Sequence, residues 1–462
     1  MTTRVNLTDY TDIGVIGLGQ TGLSVARYLL REGFAPFLFD SRSEAAVGER
    51  VQQLEAEFGQ SLSAYFGDFQ VEQVLGLDAL IVSPGIDLRH PVLQMAIDAD
   101  IPLLGDIDLF AAQVQQPIVG ITGSNGKSTV TELTAAIVQA AGQRVAVGGN
   151  IGTPVLDLLT TTAAVDVYVL ELSSFQLELM AHTELKAATI LNFSDDHLDR
   201  YASRQDYEKA KQRIYTHAHT AIWNRDQYST KPVQAVAAER TFSAHPSEPE
   251  APHIYGLTAT QPVHIERAQQ PLLASTELQL SGVHNLLNIQ AACGLAEALC
   301  IDITAAPVLQ VIREFSGLPH RCQLVGEFDG VRWINDSKAT NIGAAEAAIT
   351  GLRPVVSGKL ILIAGGEGKE ANFSVFKEAL KAVDELITIG RDGQRIASVY
   401  PHSETHQSAK DLQQAVALAA QVATPGSLVL LAPACASFDM FANYQERGER
   451  FIQAVEAYYG AA

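Results

Sequence analysis

Between residues 122 and 129 the chain reads Thr-Gly-Ser-Asn-Gly-Lys-Ser-Thr, two glycines and a lysine among four hydroxyl side chains. That mixture suits phosphate. Backbone N–H groups of Gly123, Ser124, Asn125 and Gly126 can surround a phosphate, Lys127 can reach the β and γ oxygens, Ser128 can hold Mg²⁺ where the following helix begins, and Thr129 completes the loop. The spacing departs from the common phosphate loop, because Ile121 stands where its first glycine belongs. A plain turn with a solvated lysine is the competing reading. Gly-Lys-Ser directly after the apolar run "IVGIT" (118–122) satisfies several independent requirements at once and favours ATP.

A second glycine loop, "GLGQTG" with Gly17, Gly19 and Gly22, follows a predicted strand and is succeeded by Asp40 at the end of the next one. Three readings remain open for it: NAD or FAD, a tight turn without ligand, and the diphosphate of a UDP-sugar. Ser41 and Arg42 beside Asp40 add a hydroxyl and a cation, which favours the UDP-sugar.

Downstream, Glu171 ends the run "VDVYVLEL" (165–172), where a carboxylate beside a phosphate loop can hold Mg²⁺; a solvated strand-end glutamate is the alternative. "NFSDDHLDRY" (192–201) gathers Asp195, Asp196, His197 and Asp199. By itself it reads as an exposed loop. "EKAKQRIY" (208–215) is an amphipathic helix whose lysines, Lys209 and Lys211, read as surface charges.

Strand-to-helix alternation is what must position these groups. "IGVIG", "PFLFD", "ALIVSPG" and "IPLLG" form one parallel series, and a second restarts after Gln116 with "PIVGITG", "VAVGG", "VDVYVLEL" and "AATILNF". Residues 222–282 are less periodic and read as β-rich decoration, with an exposed loop at "HPSEPEAP" (245–252). A helix over 282–299 precedes a hinge at "LPHR" (318–321), beyond which "LILIAGG", "ELITIG" and "SLVLLAPA" supply a third unit. The expected class is α/β with three domains, at 1–114, 115–317 and 318–462.

Composition restricts the partners. With 32 Lys+Arg against 52 Asp+Glu the net charge is −20, which argues against nucleic acid. No apolar stretch approaches the ~18 residues of a membrane span, and the N-terminus lacks the order of a signal peptide. Cys293, Cys300, Cys322 and Cys435 are too scattered for a disulfide framework or a zinc site. A cytoplasmic protein is expected, without nucleic-acid or membrane partners.

The loop T-G-S-N-G-K-S-T resembles that of the Mur ligases and folylpolyglutamate synthases. Matches to the Mur ligases run from "GLGQTG" to "YQERGERF", nearly the whole chain. The resemblance implies an N-terminal Rossmann-like domain for the UDP-substrate, a central P-loop-type ATPase domain and a C-terminal Rossmann-like domain for the amino acid. It implies ATP and two Mg²⁺ sites, with Ser128, Glu171, His197 and a carbamylated Lys211 as ligands; Lys209 is the fallback if the helix register is off by two. It assigns Lys127, Glu171, His197 and Lys211 to catalysis, and Asn150, Asn288, Arg321 and Asp336 to ATP along with the loop. Gln20, Thr21, Asp40, Ser41, Arg42, Ser83 and Asn150 fall to the UDP-substrate.

Three C-terminal stretches, "NDSKATN" (335–341), "AGGEGKEANFS" (364–374) and "PACASFDMFANYQERGERF" (433–451), resemble the D-glutamate-adding member of that family. They imply Thr340, Lys369, Ser437 and Tyr444 around D-glutamate, and Lys338 as a further active-site lysine. The implied reaction joins D-glutamate to UDP-N-acetylmuramoyl-L-alanine through an acyl phosphate, in peptidoglycan precursor synthesis, by a monomer. Glu367 stands where the family pattern has aspartate, and Tyr444 where it has phenylalanine. The rivals are an NAD oxidoreductase, a folylpolyglutamate-type ligase and a non-catalytic UDP-sugar binder. The ATP loop and its metal set speak against the first, and the domain before that loop against the second. The intact metal and lysine positions speak against the third.

Overall fold

The computed structural model describes residues 5–161, 164–194, 196, 200–247, 254–280, 282–368 and 371–460. Three parallel sheets follow one another along the chain. The first is built from β1 (Ile13–Ile16), β2 (Phe37–Asp40), β3 (Ala64–Phe66), β4 (Ala79–Val82) and β5 (Leu103–Leu104), ordered β3-β2-β1-β4-β5. β1 and β4 are buried along their whole length, as parallel strands covered by helices on both faces must be. At the end of β1, Gly17 takes φ +89°, and a Cβ on Gly22 would run into the Gly17 carbonyl. Only glycine permits the turn from β1 into the helix Gln20–Arg31.

The second sheet comprises β6 (Ile118–Thr122), β7 (Val145–Gly149), β8 (Val167–Glu171), β9 (Leu185–Ile190), β10 (Ala218–Asn224) and β11 (Ala238–Phe242), ordered β11-β10-β9-β6-β8-β7. Its register places Ile121 level with both Glu171 and Thr189, and Gly149 level with Glu171. The phosphate loop after β6, the end of β8 and Asn150 after β7 therefore share one edge of the sheet. The helices Lys127–Ala140 and Val283–Ala298 pack on it, the latter through Ala291, Ala292, Cys293 and Ala296. The reading of 222–282 as decoration needs correction. β10 and β11 extend the main sheet, and the addition is a small antiparallel sheet of β12 (Tyr255–Leu257), β13 (His264–Arg267) and β14 (Gln270–Ala274).

The third sheet is ordered β15-β16-β20-β17-β18-β19, with β15 (Gln323–Phe328), β16 (Val331–Asn335), β17 (Leu360–Gly365), β18 (Glu385–Ile389), β19 (His406–Ser408) and β20 (Leu428–Leu431). Only β15 pairs antiparallel, as an edge strand. Asn335 and Ile363 both lie level with Leu431, so the loops after β16, β17 and β20 leave the sheet side by side. Ligand sites of open parallel sheets lie at such carboxyl ends.

Candidate active site

Gly126 adopts φ +83° and caps the helix Lys127–Ala140. A Cβ there would lie 2.5 Å from Asn288 Oδ1, so the loop and the asparagine predicted for adenine are in direct apposition. Asn192 fixes the loop from the far side. Its Oδ1 accepts from Asn125 N at 2.9 Å, and its Nδ2 donates to the Asn125 carbonyl at 3.0 Å. The Lys127 ammonium donates to the carbonyls of Gly123 and Ser124 at 2.8 and 2.9 Å.

Beneath the loop, the Ser128 hydroxyl donates to Glu171 Oε2 at 2.5 Å, and Asn150 Nδ2 donates to Glu171 Oε1 at 2.8 Å. Burial pushes the Glu171 carboxyl up, but the Lys127 charge and the Ser128 and Asn150 bonds outweigh it and hold the group below the usual range. A hydroxyl and an ionised carboxylate are hard donors, and this pair fits Mg²⁺. Lys211 is 2% exposed, with Nζ 3.1 Å from Thr122 Oγ1 and 4.9 Å from the Tyr207 ring centre. Burial and then the Lys127 charge push its ammonium well below the ordinary lysine range, against Asp196 and Glu171. Lys209 instead points outward, paired with Asp206 at 3.5 Å. Lys211 is therefore not the surface charge that its helix pattern suggests, whereas Lys209 is one. His197, Asp195 and Asp199 lie outside the described residues.

Gln20, Thr21, Asp40, Ser41, Arg42, Ser83 and Asn150 all line one cavity of about 510 Å³ between the first and second sheets. Asp40 is 2% exposed and already engaged: Oδ2 accepts from Leu18 N at 2.7 Å and Arg42 Nη2 at 2.7 Å, and Oδ1 from Arg42 N at 2.9 Å. Burial works against its charge, but these bonds prevail and keep its carboxyl below the ordinary range. Asp40 therefore organises the loop and presents Arg42. Ser173, Phe175 and Gln176, not anticipated from sequence, close the cavity from the central sheet.

A second cavity, of about 300 Å³, is lined by Asn125, Gly126, Thr129, Asn288, Arg321 and Asp336. The Arg321 guanidinium donates to Ser128 Oγ at 2.6 Å. Asp336 Oδ1 accepts from Cys322 N at 3.2 Å, and burial pushes its carboxyl up to about 6, against that bond and the Arg321 charge.

Between the two lies a third cavity, of about 450 Å³, lined by Ser124, Lys127, Glu171, Lys211, Thr340, Ser437 and Tyr444 among others. Asn150 belongs to it and to the first, while Asn125, Gly126, Arg321 and Lys338 belong to it and to the second. The three spaces adjoin one another, sharing these side chains as common walls. Lys369 lies outside the described residues, and the two residues before it are anchored. Glu367 and Ala436 exchange two backbone bonds of 2.9 Å, Gly368 N donates to Asp392 Oδ2 at 2.7 Å, and Arg391 Nη1 donates to Glu367 Oε1 at 2.9 Å.

Some participants escaped the sequence reading. Asn341 Nδ2 reaches Asp196 Oδ2 at 3.2 Å and Asn125 Oδ1 at 3.4 Å, joining the third sheet to the second. Arg447, 1% exposed, donates to the Ser337 carbonyl at 2.7 Å, Ser337 Oγ at 3.0 Å and the Cys435 carbonyl at 3.0 Å. It clamps the loop of Lys338 and Thr340 to the loop of Ser437. Nothing in "YQERGERF" marks that arginine, because its acceptors lie on loops distant in sequence.

This arrangement of three sheets, a phosphate loop and a buried lysine is that of the Mur ligases, and the chain belongs to the Mur ligase family. Family models describe a Mur ligase MurD-like N-terminal domain over 11–105, a Mur ligase middle domain over 121–296 and a Mur ligase glutamate ligase domain over 320–435. The chain is 46% identical to the UDP-N-acetylmuramoylalanine--D-glutamate ligase of Idiomarina loihiensis, over 99% of each chain. It is 44% identical to the enzyme of the same name from Marinobacter nauticus, over 96% of this chain and 97% of that one. Among solved structures, MurF ligase from Thermotoga maritima in complex with ADP shares the fold at TM-score 0.61 and 16% identity, covering 98% of this chain and 97% of that one.

Proposed function

We propose that this protein joins D-glutamate to UDP-N-acetylmuramoyl-L-alanine at the expense of ATP, giving ADP and phosphate, in peptidoglycan precursor synthesis. The observation that carries the reading is that the three cavities adjoin through shared lining residues. Asn150, Ser173 and Phe175 border both the predicted UDP-substrate and phosphate spaces, and Arg321 and Lys338 border both the phosphate and nucleotide spaces.

In this reading residues 1–114 hold the UDP-substrate through Gln20, Thr21, Ser41, Arg42 and Ser83, residues 115–317 hold ATP, and residues 318–462 bring D-glutamate. Asn288 and Asp336 take the adenine and the ribose. Lys127, Arg321 and the loop N–H groups stabilise the charge on the phosphates while the L-alanine carboxylate attacks the γ-phosphorus. Mg²⁺ supplies Lewis-acid neutralisation of phosphate oxygens; Ser128 and Glu171 would hold one ion, and His197 and Lys211 as a carbamate a second. A carbamate needs a neutral lysine amine to form, and burial beside Lys127 supplies that condition at Lys211. Thr340, Lys369 and Ser437 receive the carboxylates of D-glutamate, whose amine displaces phosphate. Among the described residues no helix is long and apolar enough to cross a membrane. A cytoplasmic monomer accords with the soluble substrates and the negative charge.

The test is ADP release with UDP-N-acetylmuramoyl-L-alanine and Mg²⁺, comparing D-glutamate with L-glutamate, L-lysine and diaminopimelate. Release with D-glutamate alone is expected. Release with another amino acid would keep the ligase and overturn its substrate.

A further inference from the structure

Lys338 stands on the loop after β16, on the wall shared by the nucleotide cavity and the central one. Its Nζ lies 4.1 Å over the Tyr444 ring, and among the described residues no carboxylate forms an ion pair with it. Backbone bonds fix the position: Lys338 N donates to the His320 carbonyl at 3.1 Å, and Ser337 Oγ donates to the Tyr444 carbonyl at 2.8 Å. Thr340 and Ser437, the hydroxyls proposed for D-glutamate, line the same cavity. The charged groups facing Lys338 are Arg321 and Lys127, which oppose its proton, and Glu171 and Asp196, which favour it. Burial and the two cations prevail and push the ammonium down to about 8. An amine with its proton affinity near working pH, held by an aromatic face instead of a carboxylate, is suited to proton transfer.

We propose that Lys338 is the general base that deprotonates the incoming amino acid. The inference rests on the D-glutamate ligase reading. D-Glutamate arrives as an ammonium without a lone pair to attack. Neutral Lys338 Nζ takes one proton from it, and the freed nitrogen pair forms the C–N bond to the acyl phosphate carbonyl. Collapse of the tetrahedral intermediate breaks the C–O bond to phosphate. The second proton of that nitrogen leaves with phosphate as monohydrogen phosphate, and Lys338 returns its own proton to solvent.

Hydroxylamine separates this step from everything before it, because it is already neutral at neutral pH and traps the acyl phosphate as a hydroxamate without a base. Lys338→Arg and Lys338→Met are expected to lose roughly 10²–10⁴-fold in D-glutamate ligation while still forming hydroxamate from UDP-N-acetylmuramoyl-L-alanine and ATP. In the unaltered protein, D-glutamate ligation should rise with pH through neutrality towards a plateau above about 8, with hydroxamate formation flat over the same range. Lys338→Arg ligating within tenfold of the parent, hydroxamate falling in parallel with ligation, or identical pH profiles for the two acceptors would each overturn the proposal. Absence of hydroxamate from the unaltered protein would instead refute the ligase reading itself.

Discussion

Arg321 Nη2 donates to Ser128 Oγ across 2.6 Å, although 193 positions separate the two residues. The bond continues through Ser128 to Glu171 and on to Asn150, so the chain segment before the third sheet reaches the phosphate loop of the second. Arg321→Ala should therefore lower kcat by roughly 10²–10³, the effect of removing one donor aimed at developing charge. Steady-state kinetics with ATP varied would check it. A kcat within a few-fold of the parent would remove Arg321 from the phosphate site.

Asn150 supports Glu171 from behind. Loss of such an outer partner costs metal affinity about 10–100-fold, so Asn150→Ala should weaken Mg²⁺ binding in the presence of ADP by that factor. Titration calorimetry measures it directly. Unchanged affinity would show that the amide serves only the UDP-substrate.

The sign of the Asp336 contribution to stability follows from its raised carboxyl, about 6 when folded against an ordinary value of about 3.9. The folded state holds this proton more tightly, so stability falls as pH rises from about 4 to about 6, and the penalty is complete above that. Asp336→Asn should stabilise the protein at pH 7 by on the order of 2–3 kcal/mol and by almost nothing at pH 4, while weakening ATP binding. Urea denaturation at the two pH values decides it; equal effects at both would contradict the buried charge.

At Gly126, φ +83° and the 2.5 Å approach to Asn288 leave no room for a methyl group. Gly126→Ala should abolish detectable ATP binding by calorimetry, with the far-ultraviolet circular dichroism unchanged. ATP affinity within threefold of the parent would mean that the loop and Asn288 do not act together.

The two glycine loops, at 17–22 and 123–126, were legible in the sequence because glycine spacing records a backbone requirement that few other residues meet. The placement of Glu171 and Asn150 beside the 122–129 loop was legible because strand ends are local features. Which of Lys209 and Lys211 is buried was not, since two positions on one amphipathic helix differ only in which faces the sheet; Lys211 packs against Thr122 and Tyr207. Short strands such as Ala64–Phe66 and His406–Ser408 carry too few residues for a periodic signal. Asn341, Phe175 and Arg447 escaped for a different reason. Their partners lie in other sheets or loops, and no spacing along the chain encodes a meeting between elements far apart in sequence.

The central claim is that a carboxylate is phosphorylated and then displaced by an amine. It is tested most directly with UDP-N-acetylmuramoyl-L-alanine whose terminal carboxylate carries ¹⁸O, incubated with ATP, Mg²⁺ and D-glutamate. One labelled oxygen should appear in the phosphate released, as mass spectrometry of the phosphate would show. Unlabelled phosphate alongside formed amide would contradict an acyl phosphate, and with it the roles of Lys127, Arg321 and Lys338 in making and consuming one.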